Sequence, residues 1–598
     1  MHRLILLYCF ALLSNLSASA QITNWKDKVA PELQAAFNRG ETADFMVIMR
    51  EQADVSGANN LSSKSAKAHF VYARLEETAG RSQANARRIL RENNANSNSL
   101  RLVNAIAVEK AGASVARQLA ELPEVAAIES DPWIKFDGPI AQQVADPGVK
   151  PRNQVEWGVA RINAPDVWAL GYTGQGITVG GADTGYDWTH PAIQPKYRGW
   201  TGDAATSDHN YNWHDAIHDY SPLNYDTAGN PGTNPCGLNI QAPCDDNSHG
   251  THTMGTMTGD DGNGNMIGVA PGAKWIGCRN MERGWGKPSS YIECFEWFMA
   301  PTDVNNLNPN PDKAPHVINN SWYCAVMEGC TDHAINNMLK LAVINLKASG
   351  VVVVVSNGNN GPSCASTDGP PAYFEESFSV GATRDDEWIA SFSSRGPVLI
   401  DTSYRMKPNV SAPGQNVRSS VPNNGYANYS GTSMAGPHVV GLVALVLSAQ
   451  PALAGHVSEI ENIVEQTTVF HADTIDCGST SPGSARPNHA FGWGRVDALA
   501  AVQKALQWVP SATVIPVSPA ARVYPNPVHD VVFFDLEHVT GPCTITIFSA
   551  EGAVVATRTI YPAGWALEQV SMQNLPSGMY FYKISTGNGM LNGKILRD

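Results

Sequence analysis

The chain has 598 residues, 43% apolar side chains and a net charge of -14. That length supplies several domains and ample core, and the apolar share excludes a disordered chain. The acidic balance excludes a nucleic-acid binder, which would carry a basic face. Residues 21–140 are neutral, with 15 basic and 15 acidic side chains, so the acidic excess lies in the body that follows.

The first element is an address. Residues 1–20 carry Arg3 near the start, run apolar from Leu4 to Leu13 and close on Ala18-Ser19-Ala20. A basic start, a short apolar run and a small-x-small end predict a secretory signal peptide, with Gln21 as the new N-terminus. The run is too short to span a bilayer.

Residues 41–136 predict a small α/β unit. Phe45–Met49 is a strand, 66–93 a long helix, 99–108 a strand, 114–122 a short helix and 125–128 a strand. Residues 137–156 turn rich in Pro, Gly and Gln and lose apolar periodicity, which predicts a linker. From 157 to 506 buried strands (177–182, 274–277, 317–320, 351–355) alternate with helices starting near His249, Ser290, Thr331 and Ser433. That alternation predicts an α/β fold with a parallel sheet covered on both faces. Residues 507–521 are a second linker, rich in Pro, Ala, Ser and Val. Residues 522–598 switch to period two at 531–534, 544–548 and 579–584, which predicts a small all-β sandwich.

Export makes disulfides expected. Eight Cys lie between Cys236 and Cys477, and Cys543 stands alone in the tail. Proximity favours Cys236–Cys244 and Cys324–Cys330 as short clips, with Cys278 and Cys294 as a third candidate pair. The C-x-x-C spacing of a zinc site does not occur.

Three segments of the α/β region carry chemistry. Ala182-Asp183-Thr184-Gly185 puts an acid at the C-terminal end of a buried strand, the edge where parallel sheets build sites. Asn247-Ser248-His249-Gly250-Thr251-His252 opens a helix with a His in its first turn. Gly431-Thr432-Ser433-Met434-Ala435-Gly436-Pro437-His438 puts a Ser at a helix start, with Pro437 expected in the first turn, where Pro is tolerated. A serine hydroxyl needs a base, a His can take its proton, and a buried Asp can hold the ring and stabilise the imidazolium. Negative charge developing on the substrate oxygen needs fixed donors. Asn359, at the exit of the five-valine strand, and the Ser433 N–H are candidates.

The order Asp, His, Ser with Asp-Thr-Gly, His-Gly-Thr-His and Gly-Thr-Ser-Met-Ala-x-Pro-His resembles the subtilisin-like serine protease family over roughly 157–506. The resemblance implies Asp183, His249 and Ser433 as catalytic triad and Asn359 as oxyanion residue. It implies a substrate strand between Ser321-Trp322-Tyr323 and the edge around Gly284 and Gly286. Asn357, Gly358 and Gly369 would line the specificity pocket. It further implies proteins or peptides as substrates and no cofactor for the chemistry. By the same resemblance residues 21–140 are an inhibitory propeptide and 150–506 the catalytic domain of a monomer. Three departures stand out. Trp322-Tyr323-Cys324 replace a usual Gly, Ala192 replaces a usual calcium-binding Asp, and a long insertion fills 200–244. That insertion is either a rim of the cleft or a clipped surface loop. Asp260, Asp261, Asn263 and Asn265 form either an acidic loop or a structural calcium site.

Val523-Tyr524-Pro525-Asn526-Pro527, Leu575-Pro576-Ser577-Gly578-Met579-Tyr580 and Gly593-Lys594 resemble the C-terminal sorting domain of the type IX secretion system of Bacteroidetes. That resemblance implies 522–598 as a sorting domain, the secretion machinery as partner, and a secreted or cell-surface destination. The competing reading of the whole chain is an inactive secreted binding protein on a protease scaffold, against which stands retention of all four catalytic residues. His252 and His438 are expected to be packing residues, and His214 and His218 to lie in a surface loop.

Overall fold

The computed structural model describes residues 24–136, 138, 141–144, 154–224, 234–322, 333–478, 483–509, 520–540, 542–586 and 589–598. The signal-peptide segment, Tyr323 and the Cys324–Cys330 clip lie outside them.

A seven-stranded sheet organises the body, in the order 410–413, 378–383, 352–356, 317–320, 178–183, 274–279, 213–215. Every pairing in it is parallel. Strand Thr178–Asp183 sits at the point where the chain leaves first to one side and then to the other, so the crevice at its C-terminal end is the natural site. Helices His249–Thr258 and Thr432–Ala449 cover one face around a core of Val179, Val354 and Val443. Pro288–Met299 and His333–Ala348 cover the other, around Ile318, Phe295 and Val353. Thr432–Ala449 is long and apolar enough to cross a membrane, but it is a core helix, 89% buried.

The N-terminal unit is a four-stranded antiparallel sheet, order 97–100, 105–111, 43–49, 125–130. The strand predicted at 99–108 is in fact a tight hairpin, Ser97–Leu100 and Ala105–Ala111, because Asn104 adopts φ +44° and turns the chain. The predicted helix 66–93 is two helices, Lys64–Ser82 and Ala84–Glu92. They part at Gln83, whose buried amide donates to Asn104 Oδ1 and the Ala105 carbonyl. The predicted linker 137–156 contains two short strands. Ala141–Val144 pairs with Gly425–Ser430, and Gln154–Val155 with Asn265–Met266. Segments this short earn their structure from a partner strand and leave no periodicity to read.

The C-terminal region is a sandwich of a three-stranded and a four-stranded sheet around Val532, Phe534, Ile545, Ile547 and Ile595. Disulfides join Cys236–Cys244, Cys278–Cys294 and Cys364–Cys477, while Cys543 is free and buried in the sandwich. The insertion is more than a surface loop. Its Trp213–Asp215 is the edge strand of the main sheet, and Asp215 forms a two-pronged pair with buried Arg279 at 2.8 Å on each prong.

Candidate active site

Asp183 ends the central strand, and its carboxylate is fully buried. It accepts from the Thr184 N–H at 2.8 Å, from Thr253 Oγ1 at 3.2 Å and from His249 Nδ1 at 2.7 Å. His249 is the first residue of its helix and also has no exposed surface. A bond from Nδ1 to the carboxylate leaves Nε2 as the free face of the ring, and Nε2 has no hydrogen-bond partner among the described residues.

The helix can approach the Asp183 strand because position 250 is Gly. A Cβ there would lie 2.0 Å from the Gly185 carbonyl oxygen. Asp245 fixes the start of the helix by accepting from the N–H groups of Asn247, Ser248 and Thr251. It also accepts from the hydroxyls of Thr184 and Thr251. Burial pushes the Asp245 carboxyl up from its ordinary range. Thr253 and Asp245 were not singled out in the sequence, since neither residue type marks a site without its neighbours in space.

Ser433 is the second residue of Thr432–Ala449, 3% exposed. Its Oγ donates to the Ser321 carbonyl at 3.2 Å, not to His249. Pro437 is the sixth helical residue rather than a first-turn one. Having no N–H, it cannot bond the Ser433 carbonyl four residues back. Ser321 Oγ takes that place, donating to the Ser433 carbonyl at 2.8 Å, and Asn319 Nδ2 donates to Ser321 Oγ at 2.8 Å. So the proline opens a bond that ties the serine's helix to the strand lining the cleft.

Asn359 points one way only. Its Oδ1 accepts from the Thr432 N–H and the Thr432 hydroxyl, both at 2.9 Å. Its amide nitrogen therefore faces away from that anchor, toward Gly431, whose Cβ position lies 3.6 Å from Nδ2. Asn357 is buried, and its Nδ2 is spent on Ser394 O and Thr367 Oγ1. Gly358, at φ +102°, turns the chain between the two asparagines.

Trp322 does not face the cleft by its ring. It is fully buried and stacks on Tyr291 at 4.0 Å, beside Phe295. A large flat side chain following a buried strand finds more apolar surface below the cleft than in it. Gly284, at φ +85°, and Gly286 shape the opposite edge, where a Cβ on Gly286 would strike the Tyr291 hydroxyl at 2.5 Å. Gly369 lies just before the Pro370-Pro371 turn, and its carbonyl accepts from the Ala372 N–H.

That edge is occupied by the N-terminal unit. Ile134–Lys135 pairs antiparallel with Trp285–Gly286, and the Phe136 N–H donates to the Gly284 carbonyl at 2.7 Å. The Phe136 ring lies against the His249 ring at 4.5 Å. Five residues on, Ala141–Val144 is paired with the strand that leads into Ser433.

The other histidines resolve by burial. His252 stacks on Tyr429 and points Nε2 at two carbonyls, Val417 at 3.0 Å and Ala427 at 3.1 Å; burial pulls it down to about 3. His438 is buried with Nδ1 on the Met434 carbonyl and is pulled down to about 4 by the same cause. His214 and His218 depart from the expected surface loop. Both bond Glu293, at 2.7 and 3.0 Å, and His214 is buried. At the acidic loop, Asp261 Oδ1 accepts from the Asn263 and Asn265 N–H groups, and Oδ2 from Asn265 Nδ2. Asn265 Oδ1 accepts from Arg418 Nη2 at 2.8 Å.

Residues 174–494 match the subtilase family, and residues 522–597 match the secretion system C-terminal sorting domain. The chain belongs to the subtilase family. It is 34% identical to bacillopeptidase F of Bacillus subtilis over 504 residues, 80% of this chain but 32% of that protein. It is 30% identical to subtilisin E of the same species, over 60% of this chain and 75% of the relative. Alkaline elastase YaB of a Bacillus species is 29% identical over 59% of this chain and 77% of the relative. The chain thus combines a subtilisin-like serine protease domain with a secretion sorting tail, and spans about a third of the length of bacillopeptidase F.

Proposed function

We propose that this subtilase is an exported endopeptidase made as a self-cleaving zymogen, acting on proteins or peptides. The carrying observation is the buried 2.7 Å bond between Asp183 and His249, with His249 Nε2 unpartnered among the described residues. Ser433 Oγ leaves the Ser321 carbonyl, gives its proton to His249 Nε2 and attacks the peptide carbonyl. Asp183 holds the ring and stabilises the imidazolium. Asn359 Nδ2 and the Ser433 N–H, at the positive end of its helix, receive the oxyanion. His249 then protonates the leaving amine, and water hydrolyses the acyl-enzyme.

Residues 21–140 act as propeptide, 150–506 as catalytic domain and 522–598 as sorting domain, joined by 507–521. Support for the propeptide role comes from Ile134–Phe136, which lies along the cleft edge as a substrate strand does. Self-cleavage would fall between 136 and 141. Residues 1–20 direct export from the cytoplasm and the tail hands the chain to type IX secretion, so the mature monomer works outside the cell.

The test is the intact mass of the full chain beside Ser433→Ala. The parent loses its N-terminal segment to a new end between 137 and 141, and Ser433→Ala stays whole and loses peptidase activity by about 10⁶-fold, the size known for subtilisin's own nucleophile. Full activity in Ser433→Ala defeats the assignment. The reading as an inactive scaffold is favoured by none of these contacts.

The chemistry calls for no cofactor. At Asp260–Asn265 both Asp261 oxygens, Asp260 Oδ1 and Asn265 Oδ1 already accept from N–H donors or a guanidinium, so we read it as a self-closed loop and not a calcium site. The melting midpoint is expected to be the same with and without EDTA.

A further inference from the structure

The C-terminal sandwich buries a charge on its outer face. Along Val531–Thr540 the side chains alternate, and Phe534 and Leu536 fill the sandwich core. Asp535 stands between them and so points outward, yet it is 1% exposed. The long N-terminal helix Lys64–Ser82 covers it. Arg74 Nη2 lies 2.7 Å from Asp535 Oδ2, and Trp565 Nε1 donates to Asp535 Oδ1 at 2.8 Å. Phe70 meets the Trp565 ring edge to face at 5.7 Å, with the Arg74 guanidinium over Phe70. Tyr524 donates its hydroxyl to Glu77 Oε2 at 3.2 Å. Beside these contacts a cleft of about 1020 Å³ stays open. An ion pair at the centre and an open cleft at the margin describe a seam that can separate, since each charged group regains water when it does.

The N-terminal unit is thus held at two places. The catalytic cleft holds Ile134–Phe136, and the sandwich holds helix Lys64–Ser82. Both holds belong to one covalent chain downstream of residue 141. We infer that the C-terminal domain is a second clamp on the N-terminal unit, so that the cut propeptide departs slowly until the C-terminal domain has been removed. The inference rests on the reading of 21–140 as a cleaved inhibitory segment. Two weak holds on one fragment act together, because release of either leaves the other to restore it at high effective concentration. Removal of the tail then becomes the step that frees the cleft.

The first measurement needs no activity. In the full chain carrying Ser433→Ala, a foreign protease site is inserted between residues 510 and 519, and the protein is cut there and passed over a sizing column. Residues 520–598 are expected to co-elute with the remainder. Elution of the freed domain on its own overturns the clamp. Arg74→Ala, which leaves the sandwich sequence untouched, is expected to release the domain, and so is Asp535→Asn; retention in both overturns the contact assigned here.

The second measurement uses the self-cleaving chain with the same inserted site. Loss of the propeptide is followed by native mass before and after the tail is cut away. Its release is expected to quicken on the order of 10²-fold; equal rates overturn the clamp. Full peptidase activity while the fragment is still bound would defeat the inhibitory reading instead, and leave the physical contact standing.

Discussion

The catalytic neighbourhood and the seam beneath the N-terminal unit are built from opposite materials. Around Asp183 and His249 the backbone itself is the scaffold, with Gly185 and Gly250 in direct apposition and polar side chains spent on N–H and C=O groups. Beyond the backbone pairing of Ile134–Phe136, the seam rests on paired side chains: Lys287 with Asp44 at 2.6 Å, Arg101 with Glu296 at 3.1 Å, Lys110 with Asp219 at 2.5 Å, and Asn98 with Glu293 at 2.8 Å. Backbone apposition does not titrate, is not screened by salt and cannot open without unfolding. Side-chain pairs do all three. One region is fixed for the life of the protein, and the other is suited to being taken apart.

The largest effect that sharpens this contrast is at Asn359. Leucine has nearly the same shape but lacks the amide, so Asn359→Leu tests the donor directly. Turnover is expected to fall about 10²–10³-fold with KM little changed, the range seen for subtilisin's own oxyanion asparagine. Steady-state kinetics on a peptide substrate check it, and a loss confined to KM would remove Asn359 from the oxyanion role.

Next comes the backbone contact itself. Gly250→Ala places a methyl 2.0 Å from the Gly185 carbonyl and 3.1 Å from the Asp183 Cβ. Neither neighbour is a flexible tip, so the His249 helix must shift. A loss of about 1–3 kcal/mol in stability is expected, together with weaker activity. Urea unfolding checks the first; an unchanged midpoint would mean that the two backbones are not in fixed apposition.

Much of the fixed region was legible in the sequence. Asp183, His249 and Ser433 sit where apolar strands stop and helices start, and both signals are local. The strands of the sheet were legible too, because burial on both faces writes continuous apolar runs such as 351–355. What was not legible depends on distant partners. Ala141–Val144 and Gln154–Val155 lack any pattern until a second strand is set beside them. Trp322 stands in a cleft-lining sequence but turns its ring into the core, because Tyr291 offers it a flat face. His214 and His218 have the i, i+4 spacing of metal ligands in a stretch that reads as a surface loop, and only the fold brings Glu293 to both. The outward Asp535 shows the same lesson at the seam: its partner Arg74 is more than 400 residues away along the chain.

The smallest effect probes the titrating side of the contrast. His218 Nε2 lies 3.0 and 3.1 Å from the two oxygens of Glu293, and that carboxylate pushes its pKa up to about 10. The neighbouring imidazole of His214 and the carboxylate of Asp215 share the pocket. Glu293 itself is held well below the usual carboxylate range by His218 and His214, despite its burial, so it stays ionised near neutrality. A group whose folded pKa lies above its unfolded value of about 6.5 stabilises most below that value. The contribution then declines as pH rises and is gone above the folded value. The parent is therefore expected to melt higher than His218→Gln at pH 6, and the gap is expected to close towards pH 10. Glu293 also accepts from Asn98, so this carboxylate joins the His pair to the N-terminal unit. The Gly250–Gly185 backbone contact has no part in that loss, because it carries no charge. A gap that stays constant from pH 6 to pH 10 would show that His218 acts by shape alone.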